Sequence, residues 1–233
     1  MKKIIFLIYP LILMFFVLIL ANSCKKDKKT DSTTPTPIAA TDADGNGYHS
    51  VTIGTQVWMV ENLKTTKYRD GLVIPNVTDA IAWFNLATGA YSNYNNDADN
   101  SADYGRLYNW YAVNTGSLCP TGWHVPTDSE WTTLTTYLGG ENVAGGKLKE
   151  IGTIHWKSPN TGATNEKGFT GLPGGYHHSN GTFVNIGDYG YWWSFTENDT
   201  GNAWYRNLSY GNGGVGRYYN LKRDGLSVRC LKD

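Results

Sequence analysis

The sequence predicts an α+β domain with short antiparallel strands, one or two early helices and long loops, and three local patterns carry that reading. A hairpin-like alternation opens the folded region, a capped amphipathic helix lies in its middle, and from Gly168 onward the chain breaks into short β segments at glycines. In the opening stretch, Asp44-Gly45-Asn46-Gly47 reads as a turn, because Gly and Asn tolerate positive φ at little cost. Val51, Ile53, Val57 and Met59 then alternate around a second turn at Gly54-Thr55, which is strand periodicity. The helix spans 127–138. Thr127 and Glu130 have capping-box spacing just after Pro126, and Trp131, Leu134 and Leu138 form one apolar stripe that Gly139-Gly140 ends. Residues 79–86 read as either helix or loop, and 144–150 as a further short helix. The late β segments are Gly168-Phe169, 190–194, 203–208, 216–219 and 227–231. In a strand, Trp192 and Trp193 face opposite ways, so at least one of them points inward.

Charged residues make up 17% of the chain against a usual quarter, and hydrophobic residues 40%, which excludes a disordered tail, a coiled coil and a polytopic membrane protein. Lys2 and Lys3 precede an apolar run of 18 residues, Ile4 to Ala21, interrupted by Pro10. With Ala21-Asn22-Ser23-Cys24 behind it, this is a secretory signal over 1–23 that resembles a bacterial lipobox, although Leu20 stands one place further back than usual. Cys24 is then the lipidated residue and the anchor to the membrane. An uncleaved anchor, or an ordinary signal with an incidental Cys, is the alternative. Residues 24–41, rich in Lys, Ser, Thr and Pro, have too little to bury to fold and read as a flexible tether. The globular part is 42–233. It holds 14 basic and 18 acidic residues, and a charge of about −4 argues against nucleic acid as a partner.

With Cys24 lipidated, Cys119 and Cys230 remain as an even pair in an oxidising compartment. A bridge between them would close 111 residues and stabilise by at most roughly 4–5 kcal/mol. Two buried free thiols are the alternative. A metal site is disfavoured there, since neither has a Cys or His partner at short spacing.

Asp42-x-Asp44-x-Asn46-Gly47 copies the first half of a calcium loop, but Ile53 stands where a bidentate Glu belongs, so the turn reading is preferred. Asp97, Asp99 and Asp103 lie in an acidic loop suited to a hard cation. No cofactor is required, and calcium stays open. The chain contains no HExxH, GxSxG, P-loop or GxGxxG motif. Tyr189, Tyr191, Trp192, Trp193, Trp204, Tyr205, Tyr218 and Tyr219 concentrate late in the chain, where they either build the core or offer flat faces to a ligand.

Six segments are more specific: IGTQVWMVENLKTTKYRDG (53–71), YGRLYNWYAV (104–113), LCPTGWHVPTDSEWTTL (118–134), KGFTGLPGG (167–175), GYWWS (190–194) and SVRCLKD (227–233). Together they resemble the Fibrobacter succinogenes major paralogous domain family over essentially all of 42–233. The resemblance implies a surface-associated bacterial lipoprotein with a C-type-lectin-like fold, and a bridge between Cys119 and Cys230. It also implies a distant relation to the formylglycine-generating, sulfatase-modifying family. That oxidase activity is not carried over, because Cu(I) wants two thiolates and Cys230 has no cysteine within a hundred residues. The functional expectation is a lipid-anchored envelope module that binds an extracellular glycan or protein through late loops, with Tyr176, His177, Asn198, Asp199 and Trp204 as candidate ligand residues. A structural or adhesin component without a small ligand is the alternative, and a hydrolase acting on extracellular polysaccharide the third.

Overall fold

The alternation at the start of the domain becomes strand pairing. The computed structural model describes residues 37–233. The signal segment 1–23, Cys24 and the tether as far as Thr36 lie outside the described residues. β1 (Ala40–Thr41) pairs with β2 (Gly47–Tyr48), so ordered structure begins ahead of the boundary drawn at Asp42. It is held there because the Ala39 N–H donates to the Tyr48 carbonyl at 2.8 Å. Asp42 clasps the turn between them. Its carboxylate accepts from the backbone of Asp44 and Asn46, the Asn46 amide and the Tyr48 hydroxyl, the last at 2.6 Å. The half calcium motif thus spends its first carboxylate on protein donors. β3 (Ser50–Ile53) and β4 (Gln56–Met59) follow in register across Gly54-Thr55, with Gly54 at φ 65°.

Helices and short strands then alternate: α1 (Ala80–Phe84), β5 (Tyr91–Ser92), α2 (Asn100–Tyr104), β6 (Leu107–Asn109), α3 (Trp110–Val113) and β7 (Trp123–His124). The α2 and α3 segments carry no helix signal in the sequence. α3 is a single turn, nucleated by the Asn109 side chain, which accepts from the Ala112 N–H at 3.1 Å. α4 (Asp128–Tyr137) has the full capping box, with Thr127 and Glu130 each satisfying the other's backbone N–H, and buries Trp131 and Leu134. α5 (Glu141–Leu148) begins three residues before the expected short helix.

The rest is mainly sheet: β8 (Gly174–His177), β9 (Phe183–Ile186), β10 (Tyr189–Glu197), β11 (Asn202–Ser209), β12 (Val215–Leu221), β13 (Gly225–Leu226) and β14 (Leu231–Lys232). Two expected segments differ. Phe169 is a buried core ring outside any strand, and of 227–231 only Leu231 enters one. The larger sheet runs β12-β11-β10-β8-β13-β6-β5 with β9 beside β8, and a second runs β3-β4-β14-β7. Nearly all pairings are antiparallel, so the α+β class holds.

Two aromatic cores flank β10. Trp193 is sealed into one with Tyr48, Met59, Tyr108 and the Cys119–Cys230 disulfide, and Trp192 into the other with Trp58, Trp131, Phe169 and Trp156. Both tryptophans therefore face inward, each to its own core. Arg229 is buried between the Phe169 and Trp192 rings, where burial pushes its guanidinium down to about 9. Asn62 holds this seam by accepting from Arg229 Nη2 at 2.9 Å and Trp192 Nε1 at 2.8 Å.

Candidate functional site: a tyrosine face ending in a polar cleft

Strand periodicity sorts the late aromatics. On β10, Tyr189, Tyr191 and Trp193 share one face; the register sets Tyr189 opposite Ser209, Tyr191 opposite Asn207 and Trp193 opposite Tyr205. β12 adds Tyr218 opposite Tyr205 and Gly216 opposite Asn207. The outcome is a row of rings crossing four strands, Tyr176–Tyr191–Tyr205–Tyr218, with successive centroids 5.0, 5.8 and 6.2 Å apart. Such spacings are those of favourable aromatic pairs. The row runs from half-buried Tyr176 to Tyr218, which is 56% exposed. Burial raises the Tyr205 phenol to about 12 and raises Tyr191 as well, so both rings stay neutral.

A cleft of about 350 Å³ opens beside the exposed end of this row, lined by Tyr189, Tyr218, Asn207, Ser209, Asn212, Glu141 and Asn142. That size falls within the range of small-molecule sites. Three glycine contacts build it. A Cβ on Gly216 would overlap the Asn207 amide oxygen and the Tyr218 ring, so only glycine leaves room for both side chains to lie over the strand. In α5, a Cβ on Gly145 would meet the Gly214 carbonyl, and one on Gly146 the Gly162 carbonyl. Glycine costs about 1 kcal/mol against alanine in a helix interior. Here it lets the helix backbone touch the β11–β12 turn, with the Gly146 N–H donating to the Gly213 carbonyl at 2.8 Å. That contact carries Glu141 and Asn142 to the lip of the cleft.

Lys149 fixes the floor. Its ammonium is buried and donates to the carbonyls of Thr161, Ser209 and Asn212 at 2.8, 2.7 and 2.9 Å. Burial lowers this amine to about 8, and its three donors match the three carbonyls. In the turn itself, Asn212 Oδ1 accepts from the Gly214 N–H at 2.9 Å and Ser209 Oγ from the Gly211 N–H at 3.1 Å.

The residues singled out from sequence lie elsewhere. Tyr176 belongs to the tyrosine row but lines its buried end. His177 is in the interior, sandwiched between Trp83 and Phe183 at 4.2 and 4.1 Å, with Nδ1 2.9 Å from Ser92 Oγ. Burial pushes it down to about 4. It is a core residue and not a ligand contact. Asn198 and Asp199 form the β10–β11 turn. The Asp199 carboxylate accepts from Gly201 and Asn202 N–H at 2.8 and 2.9 Å and from the Asn198 amide at 2.9 Å, so its oxygens are engaged. Trp204 is on the opposite sheet face, capped by the Arg217 guanidinium at 3.7 Å and met edge-on by Tyr219. Among the described residues, no three His, Cys, Asp or Glu side chains are grouped to hold a metal ion.

The cleft side chains missed from sequence are Asn207, Ser209, Asn212, Glu141 and Asn142. Tyr189 and Tyr218 stood among the late aromatics, and the available signal was the two-residue period joining Tyr189 to Tyr191 and Tyr205 to Asn207. Residues 51–232 match the Fibrobacter succinogenes major domain, and the chain belongs to that family. The whole cleft lies inside the match. No curated protein and no solved structure matches the chain.

Proposed function

We propose that this protein is a lipid-anchored cell-envelope module that binds an extracellular glycan through the cleft at the end of its tyrosine face. Support for the anchor is the charged start, the apolar run and the Cys24 that follows small residues. The observation that carries the binding reading is the cleft, lined by Tyr189 and Tyr218 together with the amide-bearing Asn142, Asn207 and Asn212. Planar rings pack against the C–H face of a sugar, and each amide offers both a donor and an acceptor to neighbouring hydroxyls. A structural or adhesin role is the second reading. It is favoured by β12, a sheet-edge strand that leaves Arg217, Tyr218, Tyr219 and Leu221 exposed.

The test is a glycan array followed by calorimetry on the full chain in detergent. Tyr218→Ala should weaken binding about tenfold, the ordinary effect of losing an aromatic anchor. Stability should change by no more than about 0.5 kcal/mol, because the ring is exposed. No glycan bound at millimolar concentration, or binding indifferent to Tyr218→Ala, would overturn the reading. For the anchor, mass spectrometry of the mature protein should show diacylglycerol on Cys24, and an intact Met1 would refute it.

A further inference from the structure

We infer that β12 is a self-association edge: two copies of this chain join their larger sheets by antiparallel pairing of β12 with β12, about a two-fold axis at Tyr218. This goes beyond the glycan reading and does not rest on it. The two ends of the larger sheet differ. At the β5 end the segment 75–77 closes the ladder: the Tyr91 N–H donates to the Pro75 carbonyl at 2.9 Å, and its carbonyl accepts from the Val77 N–H at 3.1 Å. At the β12 end no strand pairs with the outer side among the described residues. Natural edge strands are commonly blunted by Pro, Lys or a bulge. β12 has none of these: VGRYYNL runs seven residues in unbroken register with β11. Its central Arg217, Tyr218 and Tyr219 are exposed on both faces.

Backbone direction fixes which groups are open. The Lys222 N–H donates to the Gly201 carbonyl at 2.9 Å, so Lys222 is a hydrogen-bonded position beside β11. By alternation Gly216, Tyr218 and Asn220 also face β11, while Val215, Arg217, Tyr219 and Leu221 direct their N–H and C=O groups outward. Leu221 is closed locally: its N–H donates to Asn220 Oδ1 at 3.1 Å, and its carbonyl accepts from the Asp224 N–H at 2.9 Å. An axis at Tyr218 sets Arg217 opposite Tyr219 of the second copy, with both N–H···O bonds formed in each of the two symmetric pairs. It also places the guanidinium beside a tyrosine ring and Val215 beside Leu221, which are favourable cross-strand neighbours. Tyr218 meets its own image, so the tyrosine row runs on through the axis. Other registers fit worse. An axis at Arg217 opposes two arginines, one at Tyr219 needs the closed groups of Leu221, and one at Gly216 sets Tyr219 against the β11–β12 turn.

The experiment puts a cysteine at the axis. In this register Tyr218 and its image form a non-hydrogen-bonded pair with Cα atoms about 4.5 Å apart, within disulfide reach, whereas Tyr219 and its image are diagonal neighbours about 7–8 Å apart, beyond it. The full chain in detergent, concentrated and mildly oxidised, should give a covalent dimer at least about fivefold faster with Tyr218→Cys than with Tyr219→Cys. Wild type supplies the background, since its Cys119 and Cys230 are bonded to each other. Adding Tyr219→Pro to Tyr218→Cys should abolish the cross-link, because proline there removes an outward N–H and no bond to β11. Equal cross-linking of the two cysteine variants, or none above wild type, would overturn the pairing. So would a cross-link that survives Tyr219→Pro in protein shown to be folded by circular dichroism. Should the proline variant fail to fold, the cysteine comparison decides alone. None of these readouts involves a sugar, so this inference and the glycan reading stand or fall separately.

Discussion

The two faces of the β10–β11–β12 blade arise from one alternating sequence and end in opposite states. On the face toward α4, Arg206 is buried and its Nη1 donates to Asp128 Oδ1 at 2.6 Å, while Arg217 reaches the same carboxylate at 2.9 Å and covers Trp204. Burial alone would raise the Asp128 carboxyl, but the hydrogen bonds from Arg217 and Arg206 outweigh it and hold it below its ordinary value. On the other face, Tyr189, Asn207 and Tyr218 border the cleft, and more than half of Tyr218 is exposed. Polar groups consumed internally hold structure together, and polar groups left over are the ones a ligand can use. The comparison therefore predicts that perturbing one face should change stability and perturbing the other should change binding.

The largest expected effect breaks the closed face. Asp128→Ala leaves Arg206 buried without its counter-charge and should cost about 3–5 kcal/mol in denaturant unfolding, with glycan affinity unchanged in the folded fraction. The same pair sets an acid limit. A carboxyl with a depressed folded pKa contributes stability that is full above its unfolded value near 3.8 and is lost as pH falls through the folded value. Wild-type protein should thus lose stability below pH 3.8 more steeply than Asp128→Ala. The smaller effect sharpens the open face. Gly216→Ala forces the Asn207 amide and Tyr218 ring aside; both are free ends of flexible side chains, so unfolding should change by about 1 kcal/mol while glycan affinity falls tenfold or more. Equal loss of stability from both variants would erase the distinction.

What the sequence discloses follows the same division between near and far. The 50–59 hairpin and the 127–138 helix were legible because turn, period and cap all lie within a few residues of one another. Nearby signals misled where the fold reused them: His177 has the polarity of a ligand but the burial of a core residue, and Asp199 has the charge of a binding site but closes its own turn. The cleft was not legible because its walls come from 141–142, 189 and 207–218, which only strand register and the glycine contacts of α5 bring together. No single window contains two of its walls and the reason they meet.

The ammonium of Lys149 has one more consequence. A loop organised around a bound ion comes apart when that ion is chelated or diluted away, whereas this positive centre is covalently part of the chain. The backbone beneath the cleft thus carries its own counterpart to an inorganic cation, one that travels with the chain and cannot be exchanged.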